Sequence, residues 1–237
     1  MDQLKREEIL KLYDGLRVTD VNDALDAVGL TNVCIMDRGI KALWRDIENF
    51  KHRIYGFALT VRYLPANMAI HATDPDDYWE KRQDWYANIA PNAEWVSMIQ
   101  KGDVIVIDCA TKTDVGFCDS SNTYSWCNRG AVGAITNGGA RDTDELIKQE
   151  VPVYSAYIGR GIRPGRITTD SINVPVNVGG ALVRPGDLVV ADGDGVVVVP
   201  IEKVYEVAEI AWDIANDDKG KRRDQYEKAG REPDFTV

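Results

Sequence analysis

Seven short segments, residues 57–63, 103–109, 133–137, 152–156, 174–178, 187–191 and 196–199, are mostly rich in Val and Ile. They are too short to stand as independent helices, so they commit the chain to a many-stranded sheet. Between them, residues 118–129 and 143–149 read as helices. Residues 201–217 place Val204, Val207, Ala208 and Ala211 at helical spacing ahead of a charged tail. Strands and helices alternate in the middle and strands cluster towards the end, which predicts a layered α/β domain rather than a simple doubly wound sheet. At the front, Leu4, Ile9, Leu10, Leu12 and Tyr13 among charges predict an amphipathic helix over 4–13. A second helix follows, with Thr19 as N-cap, Val21, Leu25 and Val28 on one face, and Gly29 just past its end.

With 237 residues, 44% of them hydrophobic, the chain can bury the core of one large domain, and no repeat or flexible linker divides it. The segment 74–100 stands apart. It is acidic, carries Trp79, Trp85 and Trp95, and contains the helical stretch YWEKRQDWYANIA. Two readings are open: it covers a pocket or a subunit interface, or it packs as a surface helix on its own domain.

A net charge of −10 argues against nucleic acid, which demands clustered Lys and Arg. The one basic run, KGKRR at 219–223, reads as a solvated helix face. No stretch approaches 18 apolar residues, and MDQLKREEIL is charged where a signal peptide is apolar, so the expectation is a cytoplasmic protein without membrane contact. The four cysteines form no C-x-x-C pair and suit a reducing compartment as ordinary thiols. Dinucleotide, P-loop and serine-hydrolase motifs are absent. With two histidines, a metal would be held by oxygen ligands, which favours Mg²⁺ or Mn²⁺ over Zn²⁺.

The stretch RGAVGAITNGGARDTDEL, residues 129–146, is the most informative. Its pattern predicts a strand running into an Asn137-Gly138-Gly139 turn that delivers Arg141 and Asp142 at the head of a helix. That is the strand end where α/β folds build sites. Asp142 can ligate a hard cation and Arg141 can donate to a carboxylate or oxyanion. The alternative is an Asp serving the helix N-terminus beside a surface Arg. Upstream, the turn at 111–122 offers a helix N-terminus with Ser120, Ser121 and Asn122 to an anionic group. Lys112 is a weak candidate for Schiff-base chemistry. The tract RPGDLVVADGDGVVVVP, residues 184–200, reads as a hairpin about Asp192-Gly193-Asp194-Gly195 rather than a calcium loop, with the glycines supplying positive φ.

Several blocks occur here in the order found in RraA-like proteins: VNDALD at 21–26, GFALTVR at 56–62, GDV at 102–104, GGARD at 138–142, NVPV at 173–176, and PGD at 185–187 leading through DGV at 194–196 to Pro200. The chain resembles that family over about residues 16–210. The family includes the 4-hydroxy-4-methyl-2-oxoglutarate and 4-carboxy-4-hydroxy-2-oxoadipate aldolases. The resemblance implies a single layered β/β/α domain of the swivelling type over residues 1–237, with the aromatic insertion at 74–100 and a C-terminal helical tail at 201–237. It implies Asp142 as the Mg²⁺ or Mn²⁺ ligand, Arg141 as the contact to a 2-oxo acid, and Glu145 at a supporting acidic position. The family's carboxylate-binding Gly-acidic motif falls, by counting back, on Asp119-Ser120-Ser121, where the glycine is missing unless Gly116 replaces it. A trimer or hexamer is implied, with a carboxylate borrowed from a neighbouring subunit, for which Asp217 and Asp218 are candidates. The implied activity is release of pyruvate from a 4-hydroxy-2-oxo acid, with oxaloacetate decarboxylation by the same chemistry. Rival readings are a non-catalytic RraA-like regulator that binds a ribonuclease, and a lyase or hydro-lyase acting on a larger sugar-acid-derived substrate.

Overall fold

In the stretch DVIVIDC, residues 103–109, Val104 and Val106 enter one apolar core while Ile105, Ile107 and Cys109 enter another. Alternate side chains of a strand point to opposite faces, so a run buried at every position belongs to a sheet covered on both sides. The computed structural model describes residues 1–109 and 113–237. Helices α1 (Gln3–Tyr13) and α2 (Val18–Ala27) lead to β1 (Lys41–Ala42) and the long β2 (Ile54–Pro65). Next come α3 (Pro75–Asp84), a π-helical turn Trp85–Ile89 and α4 (Ala93–Val96), followed by β3 (Asp103–Cys109), β4 (Gly116–Cys118), α5 (Ser120–Asn128) and β5 (Ala131–Ala140). Then follow α6 (Thr143–Lys148), β6 (Val153–Ile158), β7 (Ile167–Ile172), β8 (Val176–Val178), β9 (Ala181–Val183), β10 (Leu188–Asp192) and β11 (Gly195–Val199). A 3₁₀ turn, Ile201–Lys203, opens into α7 (Val204–Ala229).

The main sheet runs β1-β6-β5-β3-β2-β10-β11, with β4 added on β5 and β7 on β2. The central strands β2, β3, β5 and β6 are parallel and β10 and β11 antiparallel. One face packs on the β8–β9 hairpin through Val176, Val178, Ala181 and Val183. On the other face, α1, α2 and α7 cover Phe57, Leu188, Val190, Val197 and Val199. Farther along, Trp95, Trp126 and Leu146 cover Leu59, Ile105 and Ile107. The layered α/β expectation is met.

Local details differ from the sequence pattern. The α2 cap is Arg17 rather than Thr19, because Arg17 N donates to Asp20 Oδ2 at 2.9 Å and Val18 N to Asp192 Oδ2 at 2.9 Å. Asn137-Gly138-Gly139 lies inside β5 and is no turn. A Cβ on Gly138 would stand 2.8 Å from the Phe117 ring, and one on Gly139 2.6 Å from Val115 O, so these glycines serve close packing. Cys118 ends a strand instead of starting a helix. The expected charged tail, KGKRR included, continues α7 to Ala229. The hairpin turns at Gly193-Asp194 as expected, but its positive φ falls on Gly195 (134°). Among the described residues, no helix is long and apolar enough to cross a membrane.

Candidate functional site

Strands β4 and β5 are parallel, so their C-terminal ends open at the same edge of the sheet. Cys118 hands the chain to Asp119, the N-cap of α5, and Ala140 hands it to Arg141 and then Asp142, the N-cap of α6. Asp142 is left-handed, φ 52° and ψ 46°, a conformation that Asp tolerates better than most side chains. Although it sits at the cap position, its carboxylate accepts no helix N–H. Its Oδ1 instead receives Arg141 Nε at 3.2 Å, with both side chains about one-third exposed.

Arg141 is fixed in two ways. Its backbone N–H donates to Cys118 O at 3.0 Å, and its aliphatic stem lies against Gly116, where a Cβ would come within 2.5 Å of Arg141 Cβ. The Gly116 N–H is taken by Gly161 O at 3.0 Å. Gly116 therefore provides room for Arg141 and not a free N–H for a ligand.

The carboxylate of Asp119 is engaged by its own helix. Oδ1 accepts from Ser121 N at 3.1 Å and Asn122 N at 2.9 Å, and Oδ2 from Asn122 Nδ2 at 2.6 Å. The N–H groups that the sequence offers to a substrate anion at 121 and 122 are thus already bonded. Burial pushes the Cys118 thiol far above its usual range and that of Cys127 up to about 11, so neither is a thiolate nucleophile near neutrality.

Asp119, Ser121, Asn122, Arg141 and Asp142 form one wall of a cleft of about 560 Å³. The rest of its lining, a second wall, is Arg82, Tyr86, Asn92, Ala93, Ile162 and Arg163. Ser120 does not line it, and Glu145 is exposed on α6 outside it. Asp217 pairs with Lys221 at 2.5 Å along α7, and Asp218 with Arg17 at the head of α2 at 3.1 Å; neither lines the cleft in its own chain. Lys112 lies outside the described residues. The insertion at 74–100 packs on its own domain and also walls the cleft. Trp85 Nε1 donates to Ile167 O at 2.9 Å, and Trp95 stacks edge-on against Trp126 at 4.9 Å. Arg82, Tyr86, Asn92, Ala93, Ile162 and Arg163 are the cleft residues with no local motif in the sequence; the unusual composition of 74–100 is the one signal pointing towards the first four.

Among the described residues, no three His, Cys, Asp or Glu side chains gather to hold a metal. Asp119 and Asp142 are the carboxylates on the cleft. That donor set fits a hydrated Mg²⁺ or Mn²⁺, which binds through one or two carboxylates and keeps open positions for water and substrate, and it does not fit a closed Zn²⁺ site.

The RraA-like family model, described as aldolase/RraA, matches residues 18–198. The chain is 26% identical over 188 residues to Protein DlpA of Legionella pneumophila, covering 79% of this chain and 27% of that protein. It is 32% identical over 123 residues to a Halalkalibacterium halodurans protein named "Putative 4-hydroxy-4-methyl-2-oxoglutarate aldolase", covering 52% of this chain and 58% of that one. The chain therefore spans only part of the length of these relatives. Among solved structures, Streptomyces coelicolor RraAS2, titled an unusual member of the RNase ES inhibitor RraA family, shares the fold. Its TM-score is 0.72 at 23% identity, with 91% of this chain and 96% of that one covered.

Proposed function

The chain belongs to the RraA-like family, and from that premise we propose that its cleft is the active site of a divalent-metal-dependent lyase that releases pyruvate from a 4-hydroxy-2-oxo acid. One observation carries the reading: Asp142 stands at a helix cap in a left-handed conformation, yet leaves its carboxylate to Arg141 and the cleft instead of the helix. An Asp present only to serve the helix terminus would accept from the N–H groups of the first turn.

In this reading Asp142 would hold Mg²⁺ or Mn²⁺, and Asp119 lines the same cleft. When bound, the cation supplies positive charge beside the 2-oxo group as electron density builds there. Arg141, held in place over Gly116, donates to the carboxylate of the 2-oxo acid and to the oxyanion that develops next to it. A water ordered by the cleft carboxylates takes the proton of the C4 hydroxyl. The C3–C4 bond then breaks, its electron pair passes into the 2-oxo acid as an enolate, and C4 leaves as a carbonyl. Protonation at C3 completes pyruvate. Oxaloacetate would lose CO₂ through the same enolate.

The test is pyruvate release from a panel of 4-hydroxy-2-oxo acids and oxaloacetate, before and after stripping with EDTA and after restoring Mg²⁺ or Mn²⁺. Turnover that disappears with the chelator and returns with the cation is expected; undiminished turnover after full metal removal contradicts the metal role. No turnover on any member, with a ribonuclease recovered in a pull-down, assigns the chain to the regulators instead.

A further inference from the structure

The second wall of the cleft holds two guanidinium groups that the proposed reaction does not use. Arg163 is only 9% exposed, and its acceptors are all neutral: Tyr63 Oη at 3.4 Å, Ala90 O at 3.5 Å and Asn92 Oδ1. Arg82 has a buried Nε without any hydrogen-bond partner, and its head lies 5.0 Å from the Trp79 ring and 5.2 Å from the Tyr86 ring. The Arg163 head is 5.0 Å from the same Tyr86 ring. One aromatic side chain thus supports two cations, both lining the cleft. Neither has a carboxylate within 4 Å among the described residues.

Arg53 shares the orphaned Nε and the aromatic neighbour, Phe50, but lines a different cleft, one that also carries Asp20. Other arginines are directly paired with carboxylates. Buried Arg6 meets Asp103 at 2.6 Å, and Arg17 meets both Asp20 and Asp218. Withdrawing Arg163 from water is costly without a compensating anion, and the half-buried Arg82 on the same ring adds like charge to that cost. A pair kept unpaired in a cleft is therefore matched to a counter-charge that arrives with the ligand.

We propose that Arg82 and Arg163, set around Tyr86, form a second anion subsite, which binds an oxyanionic group, carboxylate or phosphate, at the end of the substrate remote from the 2-oxo acid. The identity of the near end rests on the lyase reading; the anion subsite does not. Because Arg82 comes from the insertion, this wall selects the substrate while the Arg141–Asp142 wall handles the common 2-oxo acid half.

Calorimetry with uncleavable ligands tests this without turnover. In the presence of Mg²⁺, wild-type protein is titrated with 2-oxobutyrate, which has one carboxylate, with 2-oxoglutarate, which has two, and with inorganic phosphate. The Arg82→Gln variant is treated identically; α3 buries no residue, so the substitution leaves the fold intact. Wild type should bind 2-oxoglutarate at least about tenfold more tightly than 2-oxobutyrate, and Arg82→Gln should erase that advantage while leaving 2-oxobutyrate unchanged. Phosphate that competes with 2-oxoglutarate but not with 2-oxobutyrate identifies phosphate as an accepted group; phosphate that does not compete restricts the subsite to carboxylate. Equal affinities in wild type, or an advantage that survives Arg82→Gln, overturns the proposal. If neither oxo acid binds, the lyase reading fails and phosphate alone decides the subsite: binding lost in Arg82→Gln supports it, and binding absent or unchanged in the variant overturns it.

Discussion

The two walls of the cleft are built by opposite strategies. One is delivered by the ends of two adjacent parallel strands, with Arg141 and Asp142 consecutive in the chain and Asp119 one residue past its own strand. The other is assembled from the insertion and the segment after β6, where Asn92 and Arg163 meet across 71 positions of sequence. A wall fixed by core strands changes little without disturbing the sheet, whereas a wall supplied by an inserted segment can be rebuilt with the core unchanged. The first suits chemistry common to many substrates and the second suits choice among them.

The sharpest way to break this division is Asp142→Ala. Pyruvate release should fall at least about a thousandfold, because the proposed metal ligand is removed. The melting temperature should move by only about 2–4 °C, the effect of about 1 kcal/mol for placing Ala in a left-handed position of a chain this size. Wild-type rates in this variant refute the assignment. Gly116→Ala should rank second. The added methyl displaces the Arg141 stem, and a misplaced catalytic group costs on the order of a hundredfold in kcat/KM. Steady-state kinetics checks it, and loss appearing only in KM would argue that Arg141 merely binds.

Tyr86→Leu probes the second wall and should be milder. Removing the ring beneath both cations should weaken a two-carboxylate oxo acid several-fold and leave a one-carboxylate acid alone, the range of cation–π contributions. Equal weakening of both ligands would erase the distinction between the walls. The smallest effect belongs to a residue outside both. Burial holds the His52 imidazole below its usual pKa, and its Nδ1 accepts Asp46 N at 3.1 Å in the neutral form. The unfolded chain gains a proton near pH 6.5 and the folded one does so only at lower pH, so stability is lost as pH falls below about 6.5 towards the folded value. Thermal melts of wild type and His52→Gln between pH 8 and 5, at roughly half-unit steps around that midpoint, should show a shallower acid slope in the variant, with identical slopes counting against the assignment.

The same contrast explains what was legible in the sequence. The stretch 103–109 reads as a strand and is one: its Val, Ile and Cys side chains are buried on one face or the other, and its two buried carboxylates are met by Arg6 at Asp103 and by Asn137 at Asp108. By contrast ITTDSI, which forms β7, is half-exposed and polar, and GFC, which forms β4, is too short to show a period. The glycines of Asn137-Gly138-Gly139 suggest a turn because local sequence cannot display the Phe117 ring and the Val115 carbonyl that exclude a Cβ there. Arg141 and Asp142 were readable as neighbours, as was Asp119 from its place before a helix. The unpaired state of Arg82 and Arg163 was not, since being unpaired is a property of what surrounds a side chain in space.

The central claim is that the Arg141–Asp142 wall holds a cation and a 2-oxo acid together. The most direct measurement is a crystal structure of the protein soaked with Mg²⁺ and oxalate. The prediction is a cation on the Asp142 carboxylate, with oxalate on that cation and on the Arg141 guanidinium. A cation bound elsewhere, with only water between Arg141 and Asp142, would contradict it.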